Sequence, residues 1–101
     1  MHNDAINVPE TSLIALGQAL AHPARVRILI LLAQKERCGC ELAESLGLDP
    51  SVISRHLSLL AEAGLIVSRR EGPRLLWRLS HSQVPLLLTC LAHLSCKKEC
   101  L

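Results

Sequence analysis

The chain has no phenylalanine, no tyrosine and a single tryptophan, Trp77, among its 101 residues. A core without rings must be assembled from leucine, isoleucine, valine and alanine, and half of all residues are hydrophobic. Such a core suits packed helices, because leucine and alanine are strong helix formers. Excess charge is also lacking. Eleven Lys and Arg against nine Asp and Glu leave a net charge of +2. This is no polycation, so any nucleic-acid surface must come from local clustering. The longest apolar run, Ile28 to Ala33, is far below the roughly 20 residues that a membrane helix needs. The N-terminal "MHNDAINVPETSL" lacks the basic start and apolar stretch of a signal peptide, so a cytoplasmic location is expected and no membrane partner. Internal repeats and low-complexity segments are missing. So are paired carboxylates, a nucleophile–base constellation and a phosphate loop, which argues against an enzyme. The length allows one domain, with a core small enough for dimerisation to help it.

What the chain does have is five cysteines, an odd number that cannot pair completely within one chain. In a reducing compartment they argue against a disulfide framework and towards metal binding or redox chemistry. Two of them, Cys38 and Cys40, flank Gly39 in "QKERCGCELAESLG" at the expected start of a helix. One buried cysteine packs as a small hydrophobe. A second asks for a ligand, a disulfide or a coincidence. Residues i and i+2 of a continuous helix point about 200° apart and cannot readily grip one ion. At a helix start the geometry relaxes, and Gly39 is the residue best able to adopt a loop conformation. The helix N-terminus also favours the thiolate. The pair is therefore credible as a clamp for soft, thiophilic species such as arsenite, antimonite, cadmium or lead. The competing reading is one buried and one exposed structural cysteine. Cys90 falls at the edge of an apolar stripe and reads as a packing residue. Cys96 and Cys100, in "SCKKECL", could supply a further thiol, form a second site or merely be exposed.

Along the chain, a helix is expected from about Glu10 to Ala21, broken by His22-Pro23. The next, Ala24 to Gln34, is apolar nearly all round and should be central to the core. A short helix over roughly Cys40 to Leu46 stops at Gly47. Asp49 is a plausible cap and Pro50 a plausible first residue for "SVISRHLSLLAEAG", which ends at Gly64. Two short helices joined by a Gly-containing turn make a helix-turn-helix pattern over about 40–64. "LIVSRREGPRLLWRLS" then alternates around Glu71-Gly72-Pro73 and predicts a two-stranded hairpin over about 66–79. Val84, Leu87, Leu88, Leu91 and Leu94 form one stripe of a last helix over about 82–95, followed by a cysteine-containing tail, 96–101. The fold class is mainly α with a small β-hairpin wing: a single winged helix-turn-helix domain with an extra helix at each end.

Turned by 100° per residue, the helix from Ser51 to Ala63 gathers Ser51, Ser54, Arg55 and Ser58 on one narrow face. Small hydroxyls let a helix enter a groove closely, and with an arginine they can bond base edges or phosphates. An ordinary solvated face is the plainer reading, but the helix before and the arginine-bearing hairpin after favour double-stranded DNA. His56 lies among apolar positions, as a packing histidine more than a base reader, and Glu62 sits near the far end. In the hairpin, Arg69, Arg70 and Arg74 flank the turn, with Arg78 close by, where a wing lies over backbone or minor groove.

"LAHPARVRIL", "CGCELAESLGLDPSVISRHLSLLAEAGLI" and "RREGPRLLWRLS" together resemble the ArsR/SmtB family of metal-responsive repressors, with the arsenic-responsive branch the better match. The resemblance implies a homodimer built from the first and last helices. It implies that the ligand-free dimer occupies an operator and that arsenite, antimonite or a soft divalent metal (cadmium or lead) releases it. It assigns the helix-three metal site to Cys38 and Cys40. The third cysteine common in the arsenic-responsive branch is absent from "ELAESLG", and the N-terminal arm offers none, which leaves Cys96 or Cys100 as a possible third ligand. The family's zinc site on the last helix finds only His81 and His93, without its acidic partners, and is discounted. Two other readings stand beside this one: a repressor switched by a disulfide, and a winged-helix interaction module without an operator.

Overall fold

The computed structural model describes residues 8–95. The helices are α1 (Glu10–Leu20), α2 (Pro23–Gln34), α3 (Gly39–Leu46), α4 (Pro50–Glu62) and α5 (Val84–Ser95); the strands are β1 (Arg37–Cys38), β2 (Ile66–Glu71) and β3 (Arg74–Leu79). This is the winged helix-turn-helix architecture that the sequence predicts, with one correction. The sheet has three strands in the order β1-β3-β2, not two. The additional strand pairs Arg37 with Trp77 and Cys38 with Leu76. Two residues carry no readable period, so nothing in the pattern announces β1.

Local chemistry sets most boundaries. His22 caps α2, its Nδ1 accepting from the Ala24 N–H at 3.0 Å, and Pro23 takes the first helical position. The chain turns by 93° between α1 and α2. Arg25 stabilises that corner by donating to the carbonyls of Gln18 and Ala19 at the end of α1, at 3.0 Å each; the Gln18 carbonyl also accepts from the Ala21 N–H at 3.2 Å. Gly47 closes α3 with φ of 65°, a conformation that favours glycine. Asp49 opens α4 by accepting from the Ser51 N–H at 2.9 Å. At the tip of the wing Glu71 pairs with Arg74, leaving a two-residue loop whose first residue, Gly72, has φ of 60°.

Ile28 and Leu29 of α2, Leu42 of α3, Ile53 and Leu60 of α4, and Ile66 of β2 form the fully buried centre. The second helix is thus central, as its composition predicts. The outer helices contribute little: Ala19 from α1 and Val84 from α5. They instead expose Leu13, Ile14, Leu86, Leu87, Leu91 and Leu94, the last at 82%. The predicted stripe of α5 therefore splits, with Val84 buried, Leu88 half-buried and the rest outside. Cys90 is exposed as well, which corrects its expected packing role within the chain. Among the described residues no single helix is long and apolar enough to cross a membrane.

Candidate nucleic-acid interface and thiol site

Helix α4 presents Ser51, Ser54, Arg55 and Ser58 to solvent on one side and sends Ile53, His56, Leu57 and Leu60 inward on the other. Arg55 has no side-chain partner among the described residues. Ser51 is partly committed, because its hydroxyl donates to Asp49 Oδ1 at 2.8 Å. Glu62 lies exposed in the last turn, away from this cluster. His56 is only 9% exposed. Its Nδ1 lies 3.1 Å from Arg25 Nη1. Arginine only donates, so Nδ1 accepts and the ring is neutral with its proton on Nε2. Burial chiefly, then the neighbouring His22, Arg25 and Arg55, push the His56 pKa down. His22 stacks obliquely on it, with centroids 4.6 Å apart.

The wing arginines separate into two groups. Arg69 grips Glu36 with two bonds, Nε at 2.9 Å and Nη2 at 2.8 Å. The hydrogen bond from Arg69 is the main reason that the Glu36 carboxyl sits below its usual range. Arg69 also lies 3.7 Å from Glu71. Arg74 reaches Glu41 at 3.5 Å, and Arg78 donates to the Leu79 carbonyl at 3.3 Å. Arg70 is exposed and has no partner among the described residues. Of the three wing arginines expected to meet phosphate, Arg70 is open, Arg74 is loosely held, and Arg69 is engaged with the linker before β1.

That linker leads to the thiols. Cys38 is buried and does two jobs: it ends β1 and it caps α3. Cys40, in the first turn of α3, is exposed. Their sulfurs meet in a disulfide, with the Cα atoms 5.4 Å apart. The convergence comes from Cys38, which is extended at φ −82° and ψ 163° and so lies outside the helical progression. The expected contribution of Gly39 is smaller than the sequence suggests, since it does not have positive φ. Glu41 completes the turn by accepting from the Cys38 N–H at 2.9 Å, half of a capping box. That bond first, and the nearby Arg74 after it, hold the Glu41 carboxyl below its usual range.

The thiol pair opens onto a largely apolar groove of about 480 Å³. One wall is α4, with Ile53, Ser54, Leu57 and Ser58; the other is the wing, with Leu75 and Trp77. The thiols thus border both elements that would face DNA. Neither the groove nor the Glu36 and Glu41 links were read from the sequence. The spacing Cys38-x-x-Glu41, which resembles a capping box with sulfur in place of a hydroxyl, is the signal that could have found the second link. His81 and His93 are both exposed, and among the described residues no cluster of three or more His, Cys, Asp and Glu side chains suits a metal ion. The proposed third ligands, Cys96 and Cys100, lie outside the described residues.

Residues 22–68 match the family model described as bacterial regulatory protein, arsR family. A crystal structure of a possible transcriptional regulatory protein fragment from Mycobacterium bovis superposes with a TM-score of 0.80 at 33% identity, covering 84% of this chain and 91% of that one. The chain belongs to the ArsR family. A solution structure of such a fragment, described as the homodimeric winged helix-turn-helix DNA-binding domain of a possible ArsR-family regulator from Mycobacterium bovis, matches with a TM-score of 0.79 at 29% identity, with 89% of each chain covered. Among curated relatives, the transcriptional repressor SmtB of Mycobacterium tuberculosis is 35% identical over 89 residues, which are 84% of this chain and 66% of that protein. An arsenic resistance transcriptional regulator of Pseudomonas putida is 44% identical over 69 residues, 67% of this chain and 53% of that one. The chain spans about half to two thirds of the length of these two curated relatives. ArsR-family proteins are transcriptional regulators rather than enzymes.

Proposed function

We propose that this ArsR-family chain is a homodimeric transcriptional repressor, and that ligation of Cys38 and Cys40 by a soft thiophile releases it from operator DNA. The observation that carries the reading is the double role of Cys38. Its backbone is paired with the wing strand, its side chain meets Cys40 in the first turn of the helix-turn-helix, and both thiols border α4. A ligand that reopens this turn acts on reading helix and wing together. The helix face of Ser51, Ser54, Arg55 and Ser58 docks on base edges and phosphates, and Arg70 and Arg74 track the backbone. The exposed apolar residues of α1 and α5 form the dimer interface, since faces of this kind seek a partner.

Once a thiol reductant has opened the Cys38–Cys40 disulfide, the ligand is arsenite, antimonite or a soft divalent ion such as cadmium or lead, held by the Cys38 and Cys40 thiolates. Two sulfur donors favour such species over hard cations. Weakening DNA binding a hundredfold requires only about 2.7 kcal/mol of differential affinity between states. The test is operator release by Cys38→Ser and Cys40→Ser. Each variant is expected to bind the operator and to ignore arsenite. Release of both at the wild-type arsenite concentration would put the switch elsewhere.

The meeting of the two sulfurs within one chain also favours a second reading, a repressor switched by dithiol–disulfide exchange. Titration with an oxidant, beside titration of the reduced protein with arsenite, separates the two.

A further inference from the structure

A second groove, of about 320 Å³, runs along the other flank of α4 and is lined by His22, Arg25, Val52, Arg55, His56 and Leu59. It shares no residue of α4 with the wing groove, which takes Ile53, Ser54, Leu57 and Ser58 from the opposite flank. The side chains of the second groove offer only unengaged donors. His22 Nδ1 accepts from the Ala24 N–H at 3.0 Å and His56 Nδ1 from Arg25 Nη1 at 3.1 Å, so each ring carries its proton on Nε2. Neither Nε2–H has a partner among the described residues, although His56 is only 9% exposed. The two rings are in contact, with centroids 4.6 Å apart. Arg55 adds an exposed guanidinium that has no side-chain partner among the described residues, and no Asp or Glu lines the groove. Converging donors without an acceptor suit an anion.

We infer that this groove seats one backbone phosphate of the bound duplex, with the Nε2–H groups of His22 and His56 donating to its oxygens and Arg25 holding the His56 ring in place. The inference rests on the reading of α4 as the DNA-docking helix and extends that surface to the start of α2. An α-helix with its side chains is about 10–12 Å across, and the major groove is about 12 Å wide. A helix that fills the groove therefore brings each of its flanks up to the phosphates of one strand. Arg70 and Arg74 of the wing serve one rim, and the histidine pair serves the other. His22 is fixed twice, as the cap of α2 and by its ring on His56, so the donors are arranged before DNA arrives. A small free anion has the same chemistry, but the position beside Ser51, Ser54, Arg55 and Ser58 favours the duplex.

Asparagine can place an oxygen where histidine has Nδ1 and has nothing at the position of Nε2. His22→Asn thus keeps a good helix cap and His56→Asn keeps an acceptor for Arg25, while each loses the donor. The full-length dimer is assayed on a duplex that the wild type selects from a random pool and on a scrambled duplex. His22→Asn should weaken binding to both by about tenfold per half-site. The ratio between the two duplexes should not change, since a phosphate carries no sequence. Duplexes with single methylphosphonate linkages then locate the contact. At one linkage per half-site the substitution should weaken the wild type and leave His22→Asn unaffected. His56→Asn should be blind to the same linkage; its position in the core makes it the riskier variant, and His22→Asn alone carries the test should it fail to fold. Unchanged binding by His22→Asn overturns the inference, as does a wild-type response of that variant to every methylphosphonate. If inorganic phosphate shifts the His22 and His56 ring resonances while His22→Asn binds both duplexes normally, the groove takes a free anion and the DNA contact falls. A wild type that selects no duplex at all sinks the repressor reading together with this one, whereas a wild type that binds beside an unimpaired His22→Asn sinks this one alone.

Discussion

Glu41 offers the most direct test of how ligation at the thiols reaches DNA. Its carboxylate accepts from the Cys38 N–H at 2.9 Å and lies 3.5 Å from the Arg74 guanidinium on the wing. Glu41→Ala removes both. The variant keeps Cys38 as the cap and loses one hydrogen bond, worth about 0.5–1.5 kcal/mol, and an exposed ion pair worth about 0–1 kcal/mol. At 3.5 Å and about half-exposed, the Arg74 pair belongs near the bottom of that range, so the loss is about 1 kcal/mol. On a domain of this size it lowers the melting temperature by roughly 4–8 °C. The functional effect has the opposite sign. If ligation opens the first turn of α3, wild type must break the Cys38–Glu41 bond on the way, and the variant need not. Removing about 1 kcal/mol from that step tightens apparent thiophile binding about fivefold. Glu41→Gln retains an acceptor for the Cys38 N–H and should stay close to wild type. The assay is operator release against inducer concentration for the three proteins at equal ionic strength. A Glu41→Ala protein that melts lower yet releases DNA at the wild-type concentration, or at a higher one, refutes the idea that opening this turn is the switch.

Other expectations follow from the same contacts. Arg55→Ala should weaken cognate binding by about 1–3 kcal/mol if the side chain reads a base, and competition between cognate and scrambled duplexes measures it. Arg70→Ala should weaken all duplexes alike and lower the salt slope by about one phosphate contact. Glu36→Ala should have the reverse effect, since it frees the Arg69 guanidinium from its present partner; an unchanged salt slope would mean that Arg69 never faces the backbone. Acid should destabilise the chain in two stages. The folded state holds the His56 pKa down, so its contribution is complete above about pH 6.5 and is lost as pH falls through the lowered folded value. Glu36, Glu41 and Asp49 are also held low, and their contribution, complete above about pH 4.5, is lost as pH falls through their folded values. Denaturant midpoints from pH 7.5 to 3 test this, and the first stage should vanish in His56→Gln.

The legible parts of the fold were those with a strong period or a named stop. The apolar run of α2, Gly47 in left-handed conformation and the Asp49-Pro50 start of α4 each act through the backbone of their own segment, so a local pattern suffices to find them. The wing was legible for the same reason, because Glu71-Gly72-Pro73 breaks the segment just before the alternating run Leu75 to Leu79, and the two halves pair across it. Strand β1 was not, since two residues become a strand only when β3 lies beside them. Cys90 misled because a stripe on a helix says that a face is apolar and not which molecule covers it; here most of that face is exposed in the single chain.

The site divides along the same line. The Cys38-Gly39-Cys40 motif names the thiols proposed to bind, yet the link proposed to carry ligation to DNA lies in contacts between residues 33 positions apart, Glu36 with Arg69 and Glu41 with Arg74. Those two pairs bracket the thiols from either side and tie both flanks of the segment to the same hairpin. Exposed pairs of this kind add little stability singly. Their consequence is geometric: with β1 paired to β3 as well, the cysteine segment and the wing cannot shift independently. A ligand that changes the backbone at Cys38 must therefore either break these ties or move the wing, and in both cases Arg70 and Arg74 leave the positions from which they could meet phosphate together with α4. A switch confined to α3 would need a large displacement to weaken DNA binding, whereas one tied into the wing needs only a small one.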